Sequence, residues 1–434
     1  MMKKWIIIPA ILLISGCKEK LPESYFTPEK ANAYIKKIEG ICNSDNGKLW
    51  GKNLYGPVIF VDRNSRRIFS NSPDNEGNLK LKDGIYTGFF PRELVINNRA
   101  VNFGGKVFGI APLPSTENEY NIISNAIHGL FHRYQEISGF TSSGYKTPNM
   151  EEKNARIWLK CEWKALRKAV ISTGADQKVA VRDALVFRGA NHELYQSYVP
   201  DEVKFETYEG TANFTFMLLS TTSNAEFTGK LMDNLDRIYK MQSYSRTYGS
   251  ILGALYTTLL YQKGFALSGI NSENTDLGEL VRKSFEIELP EVCRDVAGSL
   301  AFNYDLDSIR TEEVQREQNI HEWIHSKTIP FTEKPVVLFE LESPYFDFEP
   351  EHIHPMDSLG TLYDKLRVAD NWGKLSVDKG GCLIANNFRS LRISARGCKV
   401  DKDHITGEGW TLLLNNDWQI ISVNQNYIVR RAMP

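Results

Sequence analysis

Apolar residues change their spacing twice along this chain, and the two changes restrict it to a mixed α and β architecture in three parts. From Tyr55 the text is strand-like. Gly56-Pro57 precedes the apolar run Val58 to Val61, Asn71 to Asp74 reads as a turn, and Gly-rich, β-branched segments continue to Leu113. Pro112 and Pro114 then stop the strands. Thr116 with Glu119 forms a capping box, behind which Tyr120, Ile123, Ile127, Leu130, Phe131 and Tyr134 recur at helical spacing. Asn154 to Ile171, Val179 to Tyr195, Glu209 to Leu219, Phe227 to Met241, Ser250 to Gln262 and Thr275 to Ile287 extend a helical middle. The charged stretch Arg310 to His325 ends it, with Ser326 to Pro330 breaking the last helix. After Ile329-Pro330, the segments Val336 to Leu341, Lys374 to Val377, Cys382 to Ala385, Leu391 to Ser394, Thr411 to Leu414 and Trp418 to Val423 read as strands. The expected class is α+β: a strand-containing N-terminal part, a helical middle, and a C-terminal all-β domain of sandwich or barrel type over 329–434.

The first residues stand outside this pattern. Lys3 and Lys4 precede the apolar run Trp5 to Ile14, which is shorter than the about 20 residues a membrane span needs but has the length of a signal-peptide core. Ile14-Ser15-Gly16-Cys17 resembles a bacterial lipobox, so 1–17 is expected to be a lipoprotein signal peptide with Cys17 lipidated. Lys18-Glu19-Lys20 resembles the surface-export tag of some Gram-negative lipoproteins. The expected place is the cell envelope, anchored in outer-membrane lipid through Cys17, on the periplasmic or the surface face. Residues 18–50 read as a tether with one helical stretch around Glu29 to Ile41.

With 52 basic and 53 acidic residues, the chain shows no excess of either sign to recommend nucleic acid as a partner. Cys42, Cys161, Cys293, Cys382 and Cys398 remain after Cys17, an odd number for an oxidising compartment. Cys382 and Cys398 flank one strand-like stretch and form the expected disulfide. Their spacing is not that of a zinc ribbon.

The segment that carries chemistry is Ile127-His128-Gly129-Leu130-Phe131-His132-Arg133-Tyr134-Gln135. His128 and His132 leave the same helical face and can share one metal ion. In H-E-x-x-H zinc peptidases the residue after the first His is the general base, a Glu. Here it is Gly129. Tyr208-Glu209-Gly210-Thr211-Ala212, opening a later helix, offers Glu209 as third ligand in the manner of gluzincin sites.

At these residues the chain resembles a family of bacterial H-E-x-x-H proteins of zinc-metallopeptidase type. The likeness runs through Gly56-Pro57-Val58-Ile59-Phe60-Val61-Asp62, Ala111-Pro112-Leu113-Pro114, Phe131 to Gln135, Ile157 to Leu166, Ala184 to Arg188, Glu206 to Gly210, Tyr248-Gly249 and Gly409-Trp410 to Asp417-Trp418, in order over most of 55–425. The resemblance implies a zincin-like domain over 51–328, with His128, His132 and Glu209 as zinc ligands and a peptide or protein as substrate.

Gly129 departs from the family pattern. General acid–base catalysis contributes about 10²–10⁴-fold, and a glycine has no side chain to supply it. Helix propensity does not account for it either, because an interior Gly costs about 1 kcal/mol relative to Ala. Three readings stay open: zinc bound without hydrolysis, a substitute base such as Glu206 or Glu162, or a fold that has lost its zinc. The last makes the chain a non-catalytic binding or scaffolding lipoprotein. His321-Glu322-Trp323-Ile324-His325 is a complete H-E-x-x-H string. It ends a charged stretch without a downstream third ligand and reads as a solvated helix end.

Arg188 and Tyr248 are further candidates for polarising a carbonyl. Glu162 is placed to orient a ligand His or to pair with Arg188. Trp372, Trp410 and Trp418 read as β-domain core rather than sugar platforms. There is no phosphate-binding glycine loop, Gly-x-Ser-x-Gly elbow or Cys-His nucleophile pattern.

Overall fold

The computed structural model describes residues 26–92, 94–114, 117–141, 144–348 and 353–432. Residues 1–17, read as a signal peptide ending at Cys17, and Lys18 to Lys20 lie outside the described residues, as does Thr116. The chain divides into two compact units, Met1–Thr311 and Glu312–Pro434. Among the described residues, no helix is long and apolar enough to cross a membrane.

In the first unit, helix α1 (Pro28–Asp45) is capped by Thr27, whose side chain accepts from the Lys30 N–H, with Pro28 at its first turn. Ala31, Ile35, Ile38 and Cys42 recur on one face and are buried with Phe26 and Trp50 in the main core. The Trp50 indole donates to Thr215 Oγ1 at 3.0 Å. From Phe26 onward the segment read as a tether with one helical stretch therefore packs one face against the core.

Six strands follow: β1 (Val58–Val61), β2 (Arg67–Ser70), β3 (Lys80–Lys82), β4 (Ile85–Phe89), β5 (Ala100–Phe103) and β6 (Lys106–Pro112). They form one sheet in the order β3-β4-β2-β1-β6-β5, with β1 and β6 parallel. β1 is apolar at every position because both its faces are covered. Val58 and Phe60 join the main core, while Ile59 and Val61 pack with Ile68, Phe108 and Ile110 on the other side.

Helix α2 (Glu119–Ile137) is capped by Asn118, whose side chain accepts from the Asn121 N–H. The cap is thus Asn118 rather than the expected Thr116 box. Six helices continue the unit: α3 (Lys153–Ile171), α4 (Gly174–Leu194), α5 (Val199–Leu219), α6 (Asn224–Tyr239), α7 (Tyr248–Gln262) and α8 (Leu277–Ser284), before the short α9 (Cys293–Leu300). α5 starts at Val199, so Glu209 sits in its interior rather than at its opening. Pro200 in the first turn and Asp201 and Glu202 beside it suit that earlier start. α5 and α7 meet backbone to backbone at Gly210 and Gly253. A Cβ on Gly253 would lie 2.0 Å from the Glu206 carbonyl oxygen.

α10 (Leu306–Thr332) runs through Ser326 to Pro330 instead of breaking there. Pro330 has no N–H for the Ser326 carbonyl. The turn nevertheless holds, because Phe331 and Ile324 pack with Met356, Leu362 and Leu383.

The second unit contains two sheets. One has seven strands in the order Trp418–Val423, Asn426–Arg431, Val336–Glu340, Ser390–Ser394, Cys382–Ile384, Thr361–Tyr363 and Ile353–Pro355. The other has six, in the order Lys399–Asp401, His404–Gly407, Trp410–Leu414, Gly373–Val377, Leu366–Asp370 and Tyr345–Asp347. Both contribute alternate residues to one apolar core, including Val337, Leu391, Val368, Leu375 and Leu412. The arrangement has two sheets and no closed barrel. Trp372 and Trp410 are buried, their indoles donating to the Glu340 and Ser394 carbonyls, while Trp418 is half-buried. Cys382 and Cys398 are free thiols, contrary to expectation. Cys382 lies within a strand of the seven-stranded sheet, whereas Cys398 precedes the outermost strand of the other.

Candidate metal centre

α2 carries His128 and His132 one turn apart, and their Nε2 atoms lie 2.8 Å from each other. Glu209 Oε2 reaches across from α5 to 3.5 Å from His132 Nε2 and 4.0 Å from His128 Nε2. A point equidistant from these three atoms lies about 2.0 Å from each, the Zn–N and Zn–O bond length. Among the described residues, this is the one group of three His, Cys, Asp or Glu side chains so gathered. The donor set therefore fits a metal ion: two imidazoles and a carboxylate, with room for a fourth ligand.

The surroundings hold the ligands in the form a metal requires. The Gln135 amide nitrogen donates to the Tyr208 carbonyl at 2.9 Å and to Thr211 Oγ1 at 3.2 Å. Thr211 spends its own proton on the Thr207 carbonyl. Gln135 Oε1 is thereby left to accept from His132 Nδ1 at 2.8 Å, which fixes the proton on Nδ1 and bares the Nε2 lone pair. Tyr208 stacks on the His132 ring and Phe216 on that of His128, with centroids 4.8 and 5.3 Å apart. Burial, with His132 and Arg99 nearby, pushes His128 down to about 3 and keeps it neutral. Burial alone would raise Glu209, but a proton on the histidine pair, with Arg99 beside it, outweighs burial and holds the carboxyl down. Arg99 binds Glu209 Oε1 at 3.0 Å, leaving Oε2 for the histidines. Replacing Gln135 with Ala is expected to weaken metal affinity at this cluster about 10–100-fold by freeing the His132 tautomer. Competition with a chromophoric chelator measures this, and an unchanged affinity would contradict the role given to Gln135.

His132 is fully buried, while 18 % of the His128 side chain and 14 % of Glu209 stay exposed. That open side faces a cleft of about 640 Å³ lined by Asn98, Arg99, Tyr145, Asn213 and Arg246, with Phe205 and Phe216 among its walls. Among the described residues that line it, Glu209 is the only carboxylate.

Gly129 now has a physical reason. α2 lies flush on β6 at this point, and a Cβ on Gly129 would stand 2.4 Å from the Ile110 carbonyl oxygen. Gly109 meets the Gly129 backbone in return. The position that holds a general base in H-E-x-x-H peptidases faces a strand here.

The structure does not bring Glu206, Glu162 and Tyr248 to the histidine pair. Arg188 contacts both Glu206 oxygens, at 3.0 and 2.8 Å, and stands 3.9 Å from Glu162. Glu162 accepts from the Tyr256 hydroxyl at 2.5 Å. Tyr248 is buried edge-on against Phe205 and does not line the cleft. Burial pushes both carboxyls up, Glu206 to about 7 and Glu162, farther from the guanidinium, to about 8. A carboxyl raised in the fold binds its proton more tightly there than in the unfolded chain, so stability falls as pH rises from about 4.5 to about 8. Glu162→Gln should flatten that slope and raise the unfolding midpoint at pH 8. A denaturation series between pH 5 and 8 tests this, and an unaltered slope would count against it.

His321, Glu322 and His325 are all exposed on α10, with no third ligand gathered beside them among the described residues. Of the residues around the centre that sequence reasoning did not assign, Gln135 carried a signal. It stands one turn after His132 on the same face. Arg99, Tyr145 and Arg246 carried none, because only tertiary folding places them beside His128. Set against known proteins, the chain matches no family model and has no significant match among curated proteins or solved structures.

Proposed function

We propose that this chain is a cell-envelope lipoprotein with a zinc-metallopeptidase-like centre that has lost its general base. One observation carries the reading: the convergence of His128, His132 and Glu209 within 4.0 Å, open on one side to a cleft. Two histidines and a glutamate with an open position are the ligand pattern of catalytic rather than structural zinc. Bound there, zinc supplies a Lewis acid for a carbonyl ligand. The chain's own residues orient the imidazoles, keep Glu209 ionised and wall the cleft with aromatic rings. Among the described residues lining the cleft, none is a free carboxylate placed to take a proton from water. Hydrolysis is accordingly expected to be slower by the about 10²–10⁴-fold that general base catalysis contributes. The envelope location rests on Ile14 to Cys17, with outer-membrane lipid as partner through Cys17.

Metal analysis of the purified full chain tests the reading. The expected result is one zinc per chain after dialysis against trace zinc, with little or no hydrolysis of a mixed peptide library. A folded chain that takes up no zinc would make this a scaffolding lipoprotein with a vestigial site. Rapid hydrolysis would show that another group replaces the missing base.

A further inference from the structure

The cleft beside His128 holds groups that the metal reading leaves unused, and their chemistry is selective. Two guanidinium groups line it. Arg99 is neutralised by Glu209 at 3.0 Å. Arg246 is exposed and has no charged or hydrogen-bonding partner among the described residues. Apart from any metal at His128, the cleft side chains therefore carry one uncompensated positive charge, which attracts an anion. The Tyr145 hydroxyl is buried with no hydrogen-bond partner among the described residues. Burial and the nearby Glu209 raise its pKa, so it remains a donor. The Asn125 amide donates to the Pro112 carbonyl, so its Oδ1 accepts from Asn98. Asn98 Oδ1 is left buried and, among the described residues, unpaired, an acceptor on a residue that lines the cleft. Tyr145 stacks on Phe205 at 5.0 Å, giving an apolar wall.

A free cation, an unpaired donor, an unpaired acceptor and an aromatic wall are the complement of one chemical object. We propose that this cleft binds the free carboxylate end of a peptide, with Arg246 and the Tyr145 hydroxyl receiving the carboxylate and Asn98 Oδ1 receiving a peptide N–H. A guanidinium matches the planar carboxylate in bidentate fashion. A cleft of this volume is about 9 Å across, the span of two to three extended residues. The inference deepens the reading of the metal centre and takes from it only the placing of the preceding carbonyl beside His128.

Calorimetric titration of the purified, zinc-loaded full chain tests it, with N-acetyl-alanyl-phenylalanine and its C-terminal amide as probes. The free acid is expected to bind at least about 10-fold more tightly than the amide. Arg246→Gln should reduce that preference to within twofold, and Tyr145→Phe should weaken the acid more than the amide. Equal binding of acid and amide by the wild type, or a preference that survives in Arg246→Gln, would overturn the proposal. Zinc content measured on the same samples keeps the two readings apart. Stoichiometric zinc without acid preference removes the peptide-end site alone, whereas acid preference without zinc removes the metal centre alone.

Discussion

Gly129→Ala is expected to destabilise the first unit by about 2–4 kcal/mol, the upper range of overpacking penalties. In an isolated helix the same change would stabilise by about 1 kcal/mol. The sign reverses because the added Cβ would stand 2.4 Å from the carbonyl oxygen of Ile110, in the middle of a paired strand. A side chain can rotate away from such a contact; a backbone oxygen held between β1 and β5 cannot. Helix and sheet would have to separate, opening the contact of Leu130 and Ile127 with the core. Gly129→Glu adds a carboxylate at the same place and should leave little folded protein, so restoring the peptidase motif restores no activity. Gly40 supplies the control. It lies in α1 with nothing within 4 Å of the position a methyl group would take, and Gly40→Ala should stabilise by up to about 1 kcal/mol. Urea denaturation of the three variants decides the matter, and a Gly129→Ala chain as stable as wild type would refute the helix–sheet contact.

His132→Ala is expected to abolish stoichiometric zinc. Disturbing a group behind a ligand already costs about 10–100-fold in affinity, and removal of a ligand exceeds that. The consequence extends to stability. Zinc at 1,000 times its dissociation constant stabilises the folded chain by about 4 kcal/mol, a gain the variant forgoes. The wild-type thermal midpoint should therefore rise on adding zinc, and that of His132→Ala should not move. The two are expected to agree more closely without metal, apart from the small cavity that a buried imidazole leaves. Glu209→Gln provides a second test with less change in volume, because it removes the ligand charge and leaves the Arg99 contact with a neutral partner. A zinc-induced shift of equal size in all three proteins would show that the metal binds elsewhere.

Much of this architecture was legible in the residues because it depends on local periodicity. Alternation and β-branching marked the strands before Pro112 and those after Pro335, and the recurrence of Tyr120, Ile123, Ile127 and Leu130 marked α2. The histidine pair was legible for the same reason, since a spacing of one helical turn puts both rings on one face whatever surrounds them. Glu209 was singled out through its Gly and Ala neighbours, although Gly210 serves a different purpose, the close approach of α5 to α7.

What failed to show were consequences of contact between segments remote in sequence. Pro330 should have ended α10, but an apolar cluster of the second unit holds that turn. Cys382 and Cys398 flank one stretch of chain, yet Cys382 is paired in the seven-stranded sheet while Cys398 lies in the turn before a strand of the other. Glu162 and Glu206, candidates for a substitute base, are drawn instead to Arg188 in the helical core. By itself the sequence determined the order of strands and helices and put two imidazoles on one face, because these follow from the pitch of a helix and the pleat of a strand. Only the tertiary structure decided that Glu209 closes on them, that Gly129 is a packing glycine, and that Arg246 and Tyr145 share the cleft. Those outcomes depend on which backbones approach within a few ångströms, a distance that no local spacing encodes.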